Sequence, residues 1–491
     1  MEMLGQLIAG RKAKKAYQPR RSTDEVLPVF FFDDTPMLRN AIMCWTMRFN
    51  DVLGPLKLYQ SLEQLVRRDD GWRKLRGRIR LNAHDKLEIH VPPSSDHERL
   101  AVTFSQASFD TSIAEHPLAS RPPRPTGSPS LQANHGDFKV LGISTDAPHT
   151  IDDYLTTDAP LVLAGRNDEV MPMLAGSSRD PMETAGLDPK FQDEHVLESQ
   201  YMSAWRMLFW DMRYLLDIAW WPRMETRTVY LPRDFVEGMR ADAMKSLEEA
   251  ARQNPDGATS HPPYVSDGDV VSAWLACMAA KELPPRSTRS AVIMTPINIR
   301  DRVPSIFPAK KGEGVYVLNA APILSTIVKG QDMLSGNDHI GKVAQALRRA
   351  LMTQTSERQI HALNRLERLS IAENGLPALF GDPSNFLIIL TNTTKARFVE
   401  NVDSGPAVIK AHVDHDTTKT PEPLNRSSFQ SMRPGQMVYY HVQRLAEEKI
   451  FARNTFFLFE TPAGEYWING SLPPAIWGKM EECFRALRSK L

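Results

Sequence analysis

The chain has 491 residues, enough for two or three domains around a sizeable core. Lysine plus arginine and aspartate plus glutamate each total 59, so the formal net charge is zero and no global field favours nucleic acid or an acidic partner. Its three cysteines, Cys44, Cys277 and Cys483, are too few and too scattered for a disulfide framework or a cysteine-based zinc site.

Residues 1–25 form a basic tail carrying Arg11, Lys12, Lys14, Lys15, Arg20 and Arg21, with no apolar leader, so a cytoplasmic monomer is expected. Leu27–Phe32 reads as a short buried strand ended by Asp33 and Asp34. Pro55 opens a helix whose Leu58, Leu62 and Leu65 share one face. Ile79 and Leu81, then Leu87, Ile89 and Val91, alternate with polar residues about Asn-Ala-His-Asp, which predicts a hairpin. The proline-rich 116–136 predicts a surface loop, and the chain from 162 to 194 is loop-like too.

Tyr201–Trp221 is the most apolar window. Arg206, Asp211, Arg213 and Asp217 interrupt it, so it reads as an amphipathic helix and not a membrane span. A strand over Thr226–Leu231 and a helix from Asp234 follow. Residues 253–264 have linker composition and divide the chain into halves of 26–252 and 265–491. Ser266 is placed to cap a helix with Asp267 and Asp269 in its first turn, and Val270, Val271, Trp274, Leu275 and Met278 on its core side. Ala291–Ile299 and Phe386–Leu390 suggest strands of a second sheet. A hairpin about Pro462-Ala463-Gly464 and a helix from Pro474 close the chain. The fold class is α/β with mixed sheets.

Phosphate-loop, dinucleotide, serine-elbow and zincin motifs are absent. Histidine remains as the candidate base near neutral pH. His149 with Asp153 and His412 with Asp416 each match H-x-x-x-D, although 13 histidines in this length give about one such match by chance. The segment His412–Asp416 reads as a polar loop rather than a metal site, because an extended backbone splits its ligands between two faces.

Together, WRKLRGRIRL with KLEIHVPP, VSDGDVVSAWLACMAAK (265–281), TPINIRDRVPSIFP (295–308), YVLNAAP (316–322) and NFLIILTNTTKARFVENVDSGPA (385–407) resemble the BAHD-type acyltransferases, in particular their fungal secondary-metabolism branch. The resemblance implies two chloramphenicol-acetyltransferase-like α/β domains with mixed sheets around a central channel. It also implies transfer of an acyl group, acetyl for instance, from acyl-CoA to a hydroxyl or amine of a small-molecule secondary metabolite. Acyl-CoA would be a cosubstrate, with no bound cofactor and no metal. Asn298, Arg300 and Lys310, the last beside Lys311, match or flank the expected cosubstrate contacts. Asp403 and Gly405 match the structural D-F-G-W-G element, from which Ser404, Pro406 and Ala407 depart.

The family's base lies in an H-x-x-x-D turn between a strand and a helix. Here TTDAPL runs straight into VLAGRNDE at Leu161–Val162. A strand, a turn and most of a helix, roughly 30 to 45 residues at ordinary element lengths, are absent from that junction. His149 and Asp153 stand as catalytic candidates by motif alone, since they precede the junction and Asp153 is followed by Tyr154 rather than a small residue. The alternative reading is a catalytically inactive relative that binds or scaffolds.

Overall fold

A computed structural model describes residues 21–134, 180–253, 262–307, 316–411, 433–444 and 453–488, less short interruptions within the first and fourth of these ranges. The junction at 161–162, His149, Asp153, Lys310, Lys311, His412, Asp416, the N-terminal 20 residues and most of the 253–264 linker lie outside the described residues.

Strand β1 (Glu25–Pro28) is shorter than the sequence suggests. The Phe30 carbonyl accepts N–H groups from both Asp33 (3.0 Å) and Asp34 (2.9 Å), so Phe30–Asp34 turns instead of extending. Next come β2 (Met43–Phe49), β3 (Val52–Leu53) and helix α1 (Pro55–Arg67), which begins at Pro55 as expected because a proline lacks only an N–H that the first turn leaves unused. The 3-10 turn Trp72–Arg76 leads into the hairpin β4 (Arg78–Leu81) and β5 (Leu87–Val91). Asn82 Oδ1 accepts from the N–H groups of His84 (2.8 Å) and Lys86 (3.0 Å), and Asp85 takes a left-handed φ of 56°.

The proline-rich loop contains one strand that periodicity missed. Beyond Pro129, β6 (Ser130–Asn134) pairs with the edge of β7 (Glu225–Leu231), because a free sheet edge imposes strand geometry where local propensity offers little. Helix α2 (Ala204–Trp220) precedes β7, and α3 (Arg233–Gln253) follows it. Then come α4 (Asp267–Ala280), β8 (Ser290–Pro296), β9 (Ile323–Lys329), α5 (His339–Gln354), α6 (Glu357–Asn374), β10 (Phe386–Asn392), β11 (Val408–Lys410), β12 (Met437–Arg444), β13 (Thr455–Glu460), β14 (Tyr466–Leu472) and α7 (Pro474–Arg488). The long helices α5 and α6, and strands β2, β9 and β12, drew no expectation from the sequence.

Seven strands form one mixed sheet in the order β6-β7-β14-β13-β10-β8-β9. Pairings are parallel across β13-β10-β8 and antiparallel elsewhere. Strands β8 and β10 therefore share a sheet with β7 instead of making one of their own. Helix α4 packs beneath this sheet with α3, α5 and α7 around it. Every residue from Val270 to Ala280 is buried, so the expectation of one core-facing side was too narrow. Two smaller sheets tie the first 100 residues to the C-terminal part: β3 pairs with β11, and β2 with β12. No helix among the described residues is long and apolar enough to cross a membrane.

Candidate active site

A cavity of about 1680 Å³ lies between the N-terminal elements and the large sheet. Trp45, Trp72, Lys74 and Ile89 form its N-terminal wall. Opposite them stand the start of α4, the chain after β8 from Asn298 to Arg302, and the turn Asn392–Ala396 after β10. Ligand pockets commonly measure ~300–1,000 Å³, so this space is large enough for two reactants.

One end is built on buried charge. Lys74 sits on the Trp72–Arg76 turn, whose backbone is pinned because Gly77 lies against β5. A Cβ there would stand 2.2 Å from Ile89 Cγ2 and 2.8 Å from the Lys74 carbonyl oxygen. Asp33 and Asp180 stand near the lysine. Burial pushes Asp33 up to about 6, although the Asn319 N–H donates to its Oδ1 (3.2 Å). Asp180 is also raised by burial, against the hydrogen bonds it accepts from Tyr316 Oη (2.5 Å) and the Met182 N–H (3.0 Å). Burial lowers Lys74 while the two acids oppose that shift. Arg300 donates through Nε to the Tyr316 carbonyl (2.6 Å) and through Nη1 to Asn298 Oδ1 (2.9 Å), and lies 5.5 Å from the Tyr316 ring centroid.

The start of α4 forms another wall. Ser266 caps the helix as the sequence predicts, Asp269 completes a reciprocal capping box with it, and Arg348 donates from Nε to Asp269 Oδ2 (2.8 Å) while stacking on Tyr264. Nearby, Tyr466 Oη donates to Glu460 Oε2 (3.3 Å), and burial raises both groups.

Asn298 and Arg300 stand on the cavity wall together. Asp403 and Gly405 stand off it. The Gly405 N–H donates to Asp403 Oδ1 (2.9 Å), and this turn abuts Gly435, whose φ is +76° and whose added Cβ would lie 2.2 Å from the Gly405 nitrogen. The Gly435 N–H in turn donates to Asp51 Oδ2 (2.6 Å), and the Gly54 N–H to the Ala407 carbonyl (2.7 Å). The element thus clasps the N-terminal strands to the C-terminal part.

The sequence passed over Lys74, Tyr316, Asp33 and Asp180. Lys74 and Tyr316 lie inside WRKLRGR and YVLNAAP, two of the stretches that carry the resemblance, yet nothing local shows that a lysine there is buried.

Among the described residues no histidine lines the cavity. A different pair, Ser305 Oγ and His361 Nε2 at 2.8 Å, has the spacing of a nucleophile and its base. The tautomer argues against it. His361 Nδ1 accepts the Gly186 N–H (3.2 Å), so the ring proton sits on Nε2, which donates to the serine and cannot remove its proton. Phe191 stacked on the imidazole at 4.1 Å completes a packing role. Burial pushes the Cys277 thiol up to about 12, which leaves it inert as a nucleophile. No cluster of potential metal ligands occurs among the described residues.

No family model matches the chain. Full-length relatives do. The O-acetyltransferase PaAT-2 of Phomopsis amygdali is 30% identical over 501 aligned positions, covering 94% of this chain and 97% of that one. The acetyltransferase pyiB of Pyricularia grisea is 28% identical over 522 positions, covering 98% of each chain. A protein of Penicillium decumbens named transcriptional regulator calD is 28% identical, covering 95% and 96%. An alignment of 522 positions to a chain of 491 residues holds at least 31 positions with no residue of this chain. By its near-full-length identity to these fungal proteins, and by the ordered stretches that flank its cavity, the chain belongs to the BAHD-type acyltransferases.

Proposed function

We propose that this protein serves acyl transfer from acyl-CoA, with acetyl the donor group, to a hydroxyl or amine of a small-molecule secondary metabolite. The observation that carries the reading is the cavity of about 1680 Å³, on whose wall the family-matched Asn298 and Arg300 stand. The relatives named as acetyltransferases support it. In such a reaction a base removes the acceptor's proton as its oxygen or nitrogen attacks the thioester carbonyl, and the CoA thiolate leaves. In the family that base lies on a strand–turn–helix segment for which this chain has no counterpart between Leu161 and Val162, and His149–Asp153 stands as the motif match within this chain.

A second reading, a binding protein without turnover, follows from the direct junction of Leu161 to Val162 and is supported by a relative whose name is not that of an acyltransferase.

Sequencing the mature message across the codons for Leu161 and Val162, followed by a thiol-release assay, separates the two. An in-frame insert encoding H-x-x-x-D should raise acetyl-CoA turnover by about 10²- to 10⁴-fold over the 491-residue chain, the usual contribution of a general base. Contiguous codons together with no thiol release would establish the binding reading.

A further inference from the structure

Of the cations on the cavity wall, Arg300 is bonded to Tyr316 and Asn298, Arg348 to Asp269, and Arg302 donates to Thr355 Oγ1 (3.4 Å), while Lys395 is exposed. Lys74 is different. Only 8% of it is exposed, it lines the cavity, and its ammonium donates no hydrogen bond to any described residue. A mostly buried cation without an acceptor is costly, and such groups are normally paired. Neither acidic neighbour is hydrogen-bonded to it: Asp180 Oδ1 accepts from Tyr316 and Met182, Asp33 Oδ1 accepts from Asn319, and the buried Asp33 Oδ2 has no hydrogen-bond partner among the described residues. Their field favours the charged lysine, and the pinned Trp72–Arg76 turn holds its backbone in place.

We propose that Lys74 is an anion-binding group of the cavity, its ammonium donating to a phosphate or carboxylate oxygen of a bound reactant. Resting on the acyl-CoA reading, the oxygen comes either from the CoA phosphates or from a carboxylate on the acceptor.

The test uses the full chain as wild type, Lys74→Met and Lys74→Arg, each first verified to melt cooperatively. Calorimetric titrations employ CoA, dephospho-CoA, pantetheine, inorganic phosphate, and benzoate with benzamide as its neutral match. Lys74→Met should weaken at least one anionic ligand by about tenfold or more, and Lys74→Arg should recover most of that loss, as a charge-assisted hydrogen bond requires. A loss for CoA alone assigns the 3′-phosphate, and one shared by CoA and dephospho-CoA but not pantetheine assigns the diphosphate. A loss for benzoate but not benzamide, with CoA unaffected, assigns the acceptor. If the wild type ignores CoA yet binds phosphate or benzoate through Lys74, the acyl-CoA reading fails and the anion site stands. Wild type and Lys74→Met that bind every one of these ligands alike, or not at all, would overturn the proposal.

Discussion

Helices α4 (Asp267–Ala280) and α2 (Ala204–Trp220) are both rich in apolar side chains, yet they meet opposite fates. Around α4 the sheet and three helices close on every side, and Val270 to Ala280 are buried without exception. Along α2, Met207, Trp210 and Asp211 face inward, whereas Trp205, Phe209, Met212, Leu216 and Trp220 lie on the surface. Trp205 is 72% exposed and Trp220 80%. Apolar content alone thus fails to distinguish a central helix from a peripheral one. What decides is whether neighbouring elements supply a second and third wall.

The largest effect expected from this contrast is at Trp274, which packs against Phe484 at the heart of the α4 surroundings. Trp274→Ala should cost about 3–5 kcal/mol, seen as a lower urea midpoint with an unchanged slope. A cost below about 1 kcal/mol would mean that α4 is not the packed centre.

Next comes Glu367 on α6, buried and pushed up to about 7, with the Ala378 N–H donating to its Oε2 (2.9 Å). Its folded pKa lies above the ordinary value, so the protein is favoured below about pH 4.5 and loses that stability as pH rises through 7. Between pH 4 and pH 8 the loss is on the order of 3 kcal/mol. Glu367→Gln should flatten this part of the profile, measured as the difference in unfolding free energy from wild type at each pH. Identical profiles for the two proteins would show that the carboxyl is not sequestered.

The smallest effect is expected on α2. Replacing Trp205, Phe209 and Leu216 together by Lys should leave stability within about 0.5 kcal/mol per site, read from urea denaturation. A loss above 2 kcal/mol per site would erase the contrast with α4, because those side chains would then be covered.

Much of the local structure was legible before any coordinates. Pro55 at the start of α1, the Asn82–Asp85 hairpin turn, the Ser266 cap of α4 and the Gly464 turn depend on residues a few positions apart, which a linear reading can see. Long-range pairing was hidden. Nothing near Ser130 announces a strand until β7 offers its edge, and nothing near Ile293 says that β8 shares a sheet with β7. The candidate site was legible in part. Asn298 and Arg300 stood out through the resemblance, whereas Lys74 looked like one more basic residue in a basic run.

What the sequence determined by itself was the inventory of elements with strong local signals and the acyltransferase kinship, carried by short-range chemistry or by the order of short motifs. The tertiary structure alone decided which helix is central, which cations face the cavity and which of them are already engaged. Burial and pairing belong to residues distant in the chain, as with the Tyr316–Asp180 hydrogen bond across 136 positions, and only the closed fold brings such groups together in a region where an unpaired charge matters.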